Sequence, residues 1–387
     1  MRVRTHDRVR IREQECAGMR WLVAEGERED VFRALGAAAR EDVHAVQEAL
    51  PEGGALRTWA ASPRGRARLD ALLRCARERH PEEVAELRAL AEGAQLDFER
   101  LLLANLRGDI GGEDGDAGEG DVGGAGDGTG CTDLAWRRER AFVAHNEDGA
   151  PALDGRLTLL TLRLTGEAPV TVEWYPGFLP ANTFTATGNG LVWGINHIQA
   201  ARPATAPGRH FVARAMQRAR DLDEAVAHLR GHPSAGGFAY TVGECGTGRI
   251  AVVEAVAGQV AVTLPDARDP LHWHTNHLRR LPGLDASEDS GAGRSLGLYE
   301  ESVARGAALS RLAAPEREPD ARWFTEALTG APLPEGVHRT AAGSDPLMTL
   351  CTAVAELTGD RITFRGAHGE TRRLRLSACA RGESVPA

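Results

Sequence analysis

From position 109 to 130 the chain reads DIGGEDGDAGEGDVGGAGDGTG, almost entirely glycine and acid. Such a stretch has too little apolar surface for burial to offset its ordering entropy, so it is expected to be a flexible linker. Any fold must then be assembled from what lies on either side: residues 1–108 before it and residues 131–387 after it.

The two sides differ in pattern. Between Asp30 and Arg107 the apolar spacing is helical, with Val31, Leu35, Ala38 and Ala39 forming one stripe and Val84, Leu87, Leu90, Ala91 and Ala94 another. His80-Pro81-Glu82-Glu83 reads as a helix start, with proline in the first turn and carboxylates at the positive end of the dipole. After the linker, short β-branched or alternating runs dominate: 141–145, 157–164, 170–174, 191–197, 238–242, 250–255, 260–264 and 271–276, with 351–357 and 362–364 as closing strands. Helical stretches at 210–218, 222–229, 295–312 and 322–328 are grouped between them, which favours an α+β fold over a doubly wound parallel sheet. No GxGxxG or GxxxxGK[ST] phosphate loop follows a strand.

Composition narrows the chemistry. The formal charge is −9, and all 46 basic residues are arginine, so a lysine nucleophile, Schiff base or P-loop lysine is excluded. An acidic balance of this kind argues against nucleic-acid binding, and the arginines of 371–375 read as a solvated strand face. No apolar run approaches the length of a membrane span, and no apolar segment before Cys16 resembles a secretory signal, so a cytoplasmic location is expected. The six cysteines are dispersed without a CxxC pair, as expected of reduced, mostly structural thiols.

One cysteine stands apart. Cys131 ends the linker in the step Thr129-Gly130-Cys131-Thr132-Asp133. A thiol attacking the Gly130 carbonyl meets no side chain there, and scission would leave Cys131 with a free α-amine. That amine, of ordinary pKa roughly 7.7 to 8.0, could act as general base for its own thiol.

Gly130-Cys131-Thr132, His145-Asn146-Glu147-Asp148 and Thr275-Asn276-His277 together resemble the signature of the acyl-coenzyme A:6-aminopenicillanic acid acyltransferase family, cysteine N-terminal nucleophile (Ntn) hydrolases of peptidase family C45. The resemblance extends over His80 to Ile110, Trp174 to Ile198 and Arg214 to Leu229, and spans roughly residues 80 to 300. It implies a four-layer αββα Ntn sandwich preceded by a helical prosegment, 1–108, that becomes the small chain. It also implies autoproteolysis at Gly130/Cys131 and a mature heterodimer of prosegment and catalytic chain.

By the same resemblance Cys131 is the nucleophile and Asp148 orients the freed amine. Asn276 is the oxyanion donor, a contact of a kind that contributes about 3 kcal/mol. Arg294 is the cation near the thiolate, and Asn196 and His145 lie on the substrate side. The substrates implied are a small-molecule acyl donor, amide or thioester, with water or an amine as acceptor; no cofactor is implied.

This chain departs from relatives in carrying Glu147 where an aromatic residue is common and His145 where Gln or Arg is common. Asp133, so close to the nucleophile, would raise the thiol pKa unless a base offsets it. A different reading uses His272 and His274, which share one strand face, as metal ligands of a non-catalytic αββα scaffold. Its third ligand, such as His197 or Asp148, would have to come from elsewhere.

Overall fold

The computed structural model describes residues 2–6, 9–50, 53–110, 130–285, 296–343 and 345–387. In chain order the elements are β1 (Arg2–His6), β2 (Val9–Cys16), β3 (Met19–Gly26), α1 (Arg28–Ala38), α2 (Arg40–Ala49), α3 (Gly53–Ala61), α4 (Pro63–Arg79), α5 (Pro81–Ala94) and α6 (Phe98–Asn105). Past the linker come β4 (Thr132–Arg137), β5 (Ala141–Gly149), β6 (Thr158–Leu164), β7 (Val170–Trp174), β8 (Thr185–Thr187), β9 (Leu191–Ile198), α7 (Arg209–Met216), α8 (Leu222–Gly231), β10 (Gly237–Glu244), β11 (Ile250–Val256), β12 (Gln259–Thr263) and β13 (Leu271–His274). The chain closes with α9 (Leu296–Ser310), α10 (Ala321–Thr329), β14 (Met348–Glu356), β15 (Arg361–Gly366), β16 (Thr371–Arg375) and α11 (Leu376–Ala380).

Two sheets carry these strands. The larger has the order β1-β2-β3-β6-β7-β8-β9-β10-β11-β12, and the smaller β13-β4-β5-β14-β15-β16. Their facing sides share one apolar core, in which Trp21, Val23, Leu159 and Val192 of the larger sheet meet Ala135, Val143, Cys351 and Ala353 of the smaller. Helices α1 to α6 cover one half of the outer face of the larger sheet, through Leu22, Leu160 and Leu162, and α7 and α8 cover the other half, through Trp193, Ile195 and Tyr240. On the far side α9 and α10 pack Leu309, Phe324 and Leu328 against Leu134, Trp136 and Phe142. The layering is therefore αββα, as the resemblance implied.

The segment before the linker, expected as a helical prosegment, is not purely helical. Its first strands, β1 to β3, extend the larger sheet, and β3 pairs in parallel with β6, Trp21 opposite Leu159. The pattern that makes them strands is alternation: along β2, Val9 and Ile11 are buried while Arg10 is exposed. The helical part follows the sequence reading, with Val31 and Leu35 of α1 and Leu87 and Leu90 of α5 in one core. Pro81 opens α5, with His80 at the N-cap position making no side-chain capping bond.

The linker boundary also shifts. Asp109 and Ile110 are buried, and Asp109 accepts hydrogen bonds from the backbone N–H groups of Arg209 (3.0 Å) and Gly236 (2.6 Å). The composition of 109–110 resembles the linker, but a buried carboxylate capping two amides belongs to the fold. Residues 111–129 lie outside the described residues.

Candidate active site

The site follows from the period-two rule for strands. β4 and β5 pair antiparallel with Asp133 directly opposite His145, so the same register runs Cys131 toward Glu147. Cys131, Asp133, His145 and Glu147 therefore point to one face, the inner one, between the sheets. Thr132, Leu134, Asn146 and Asp148 point the other way. All four inner-face side chains are buried.

From the opposite sheet, Gly194 of β9 makes room for them. A Cβ at 194 would lie 2.3 Å from Asp133 Oδ1 and 2.7 Å from His145 Nδ1, so only glycine lets the two sheets close at this point. Asn196, two residues on, donates from Nδ2 to Asp133 Oδ2 at 2.7 Å, and its Oδ1 is buried with no hydrogen-bond partner among the described residues.

His145 is the hub. Its Nδ1 lies 2.7 Å from Asp133 Oδ1 and its Nε2 3.0 Å from Glu147 Oε2, and the ring stands beside the Cys131 thiol, the facing atoms within 4.8 Å. Burial alone would push the imidazole down, but its contacts with Asp133, Cys131 and Glu147 outweigh it and hold the pKa well above the usual histidine value. Tyr175 donates its hydroxyl to Glu147 Oε1 at 2.8 Å. Glu173 on β7 completes the patch; burial pushes it up to about 7, against the pull of His145. Burial first, and then Glu147, push the Cys131 thiol up to about 12, so in the intact chain it stays protonated.

The outward side of the junction is cationic. Arg305 on α9, fully buried, donates from Nη1 to the Cys131 carbonyl (2.7 Å) and to Thr132 Oγ1 (2.9 Å), and from Nη2 to Asn276 Oδ1 (2.7 Å). Arg339, buried beside it, pairs with Glu301 and Asp345. A Cβ on Gly130 would lie 2.8 Å from Arg339 Nη1 and 3.7 Å from Arg305 Nη2, so both guanidinium groups flank this residue. The Gly130 N–H donates to the Asp148 carbonyl at 3.3 Å, which continues the β4–β5 ladder to the junction. The Asp148 carboxyl accepts from Thr349 Oγ1 at 2.6 Å, and burial raises it to about 7 despite Arg305.

The structure thus brings Gly130, Cys131, Asp148, His145, Asn196 and Asn276 to one place. Two expectations change. His145 is a partner of the Cys131 thiol, locked between two carboxylates. Asn276 is anchored by Arg305, but its Nδ2 donates to the His197 carbonyl at 2.9 Å, so in the intact chain this amide is already engaged.

Arg294 lies outside the described residues; among those described, Arg305 is the arginine that bonds Cys131, through its carbonyl. Sequence reasoning passed over Arg305, Arg339 and Glu173. Asp133 and Glu147 were noted only as departures, although the spacing Cys131-x-Asp133 and His145-x-Glu147 on adjacent strands already places all four on one face. The His272/His274 pair gains no third ligand among the described residues: His272 Nε2 lies 3.0 Å from the Asp269 carbonyl and His274 Nε2 3.1 Å from Glu254 Oε1.

The acyl-coenzyme A:6-aminopenicillanic acid acyl-transferase family model matches residues 136–369, more than half of the chain. The chain belongs to this family. The family match starts just past Cys131 and takes in His145, Glu147, Asp148, Asn196, Asn276 and Arg305. A Drosophila melanogaster beta-alanyl-dopamine/carcinine hydrolase is 26% identical over 182 residues, which cover 44% of this chain and 46% of that protein. The chain therefore spans about half the length of this curated relative. Among solved structures, a mutant conjugated bile acid hydrolase from Clostridium perfringens is 11% identical with a TM-score of 0.36, covering 63% of this chain and 92% of that one. A penicillin V acylase from Agrobacterium tumefaciens has the same identity and TM-score and covers 63% and 86%. No helix among the described residues is long and apolar enough to cross a membrane.

Proposed function

We propose that this chain cleaves itself between Gly130 and Cys131 and then acts as an amidohydrolase or N-acyltransferase through a thioester on Cys131. The observation that carries the proposal is the junction itself. Gly130–Cys131 is held as a continuation of a β ladder, with the thiol against a His–carboxylate cluster on one side and two arginines on the other.

In the first reaction the thiol proton passes to the His145–Glu147 pair and the sulfur attacks the Gly130 carbonyl carbon. Arg305 and Arg339 offset the negative charge that develops on the carbonyl oxygen. Collapse breaks the C–N bond, gives a Gly130 thioester and frees the Cys131 α-amine, which takes up a proton. Water then hydrolyses the thioester, leaving a Gly130 carboxylate and a free thiol.

In the mature enzyme the new amine stands at the Asp148 end of the ladder and serves as base for its own thiol. Asn276, freed from His197, donates to the oxyanion of the substrate. The acyl group then passes from Cys131 to water or to an amine. The name of the Drosophila relative makes N-acylated small amines the first substrates to test. A colourless N-acyl amine series, followed by mass spectrometry with hydroxylamine as trapping acceptor, tests this reading. The expected result is release of amine and formation of acyl hydroxamate, both abolished by iodoacetamide. Turnover that survives alkylation of Cys131 would contradict it.

A further inference from the structure

We propose that Cys131, His145 and Glu147 form a site for a soft divalent transition metal, zinc by donor chemistry, and that bound metal keeps the chain uncleaved. The second half rests on Cys131 being the cleavage nucleophile; the metal site itself does not.

The donors are one sulfur, one imidazole nitrogen and one carboxylate oxygen, all buried and all within 4.8 Å of one another. In tetrahedral zinc sites, bonds of about 2.0 to 2.3 Å set ligand atoms roughly 3.3 to 3.8 Å apart, so the 3.0 Å contact between His145 Nε2 and Glu147 Oε2 must open slightly while the sulfur draws in. The outer contacts are those a metal site needs. Nδ1 of His145 is occupied by Asp133 at 2.7 Å, and Asp133 is itself held by Asn196 at 2.7 Å, which leaves Nε2 as the ligand nitrogen. Glu147 keeps Oε1 on the Tyr175 hydroxyl at 2.8 Å and offers Oε2.

Charge points the same way. Asp133, Glu147 and Glu173 place three buried carboxyl groups around one imidazole, an anionic setting that a dication can occupy in exchange for two protons without changing the net charge. Three protein ligands leave a fourth position for water. Binding displaces two protons, one from the thiol and one from His145, and the sulfur lone pair given to the metal can no longer attack Gly130.

The test uses the purified chain, stripped with a chelator and titrated with Co2+. One equivalent should bind and give a near-ultraviolet thiolate-to-cobalt absorption. Cys131→Ser should lose that band and keep its circular dichroism, Cys351→Ala should retain it, and Asp133→Asn should bind about 10- to 100-fold more weakly, as loss of an outer-shell partner does. Absence of a thiolate band in the wild type, or its survival in Cys131→Ser, overturns the site. Zinc should slow cleavage measured by intact mass and a chelator should restore it; unchanged cleavage overturns the regulatory half. If the band is present but the chain stays whole with or without chelator, the metal site stands and the cleavage reading fails.

Discussion

Arg305 Nη1 donates to the carbonyl oxygen of Cys131 at 2.7 Å, although the two residues are 174 positions apart, one on α9 and the other immediately before β4. One guanidinium group thus ties the junction to Asn276 and to Glu301. Arg305→Met should leave Glu301 and the Cys131 carbonyl without this partner and destabilise the chain by about 3 kcal/mol, as breaking a buried pair does. Cleavage should slow as well. Urea denaturation and intact mass measure the two effects, and a variant as stable and as fast as wild type would remove Arg305 from the site.

Gly130→Ala places a Cβ 2.8 Å from Arg339 Nη1 and 3.0 Å from Leu347 Cδ1, and Arg339 is held by Glu301 and Asp345. The junction must shift to fit it. Cleavage is expected to be at least about tenfold slower, the rate cost of ~1.4 kcal/mol in the barrier, with little change in melting temperature. A time course followed by gel and mass checks it.

The contact between residues 1–110 and the catalytic part should be acid-sensitive. His80, between α4 and α5, sits by His228 of α8 and His232 just past its end, with ring centroids 6.3 and 5.4 Å away; Arg79, Arg218 and Glu224 line the same cavity, and Glu83 lies 3.8 Å from His80. Burial, the neighbouring histidines and Arg218 push His80 down to about 3; burial also takes His228 down to about 4. The unfolded chain binds these protons near pH 6.5 and the native one does not, so their contribution to stability is complete above that pH. It falls away as pH drops from about 6.5 toward 4. His80→Gln/His228→Gln should flatten the melting-temperature profile in that window relative to wild type.

Cleavage should not release the N-terminal chain. Glu86 of α5 and Arg214 of α7 form a fully buried pair with two bonds, 2.9 and 2.8 Å, across the two parts, and β3 lies inside the larger sheet. The cut protein should run as one species in gel filtration without denaturant. Glu86→Gln should weaken the assembly by about 3 kcal/mol or more, because it leaves a buried guanidinium without its charge partner.

How far the fold is legible depends on the range of its signals. The α1 and α5 stripes and the strands of residues 141–256 are readable because burial on one face imposes a period on neighbouring residues. β1 to β3 need a comparison of Arg10, Val9 and Ile11 with strands more than a hundred residues away before their alternation counts as a sheet edge. The site divides in the same way. Cys131, Asp148, Asn196 and Asn276 are reachable from local motifs, and the cluster of Asp133, His145 and Glu147 from strand parity. Arg305 is not, because the sequence of α9 does not say whether its single arginine faces solvent or the interior, and only tertiary packing brings it to Cys131.

The central claim is that Cys131 severs its own bond to Gly130. Intact-mass analysis of freshly purified wild type beside Cys131→Ala tests it most directly. The account predicts two masses for wild type, matching residues 1–130 and 131–387, and one full-length mass for the variant. A wild type that remains a single chain after chelator treatment, or a Cys131→Ala chain that splits at the same bond, would contradict it.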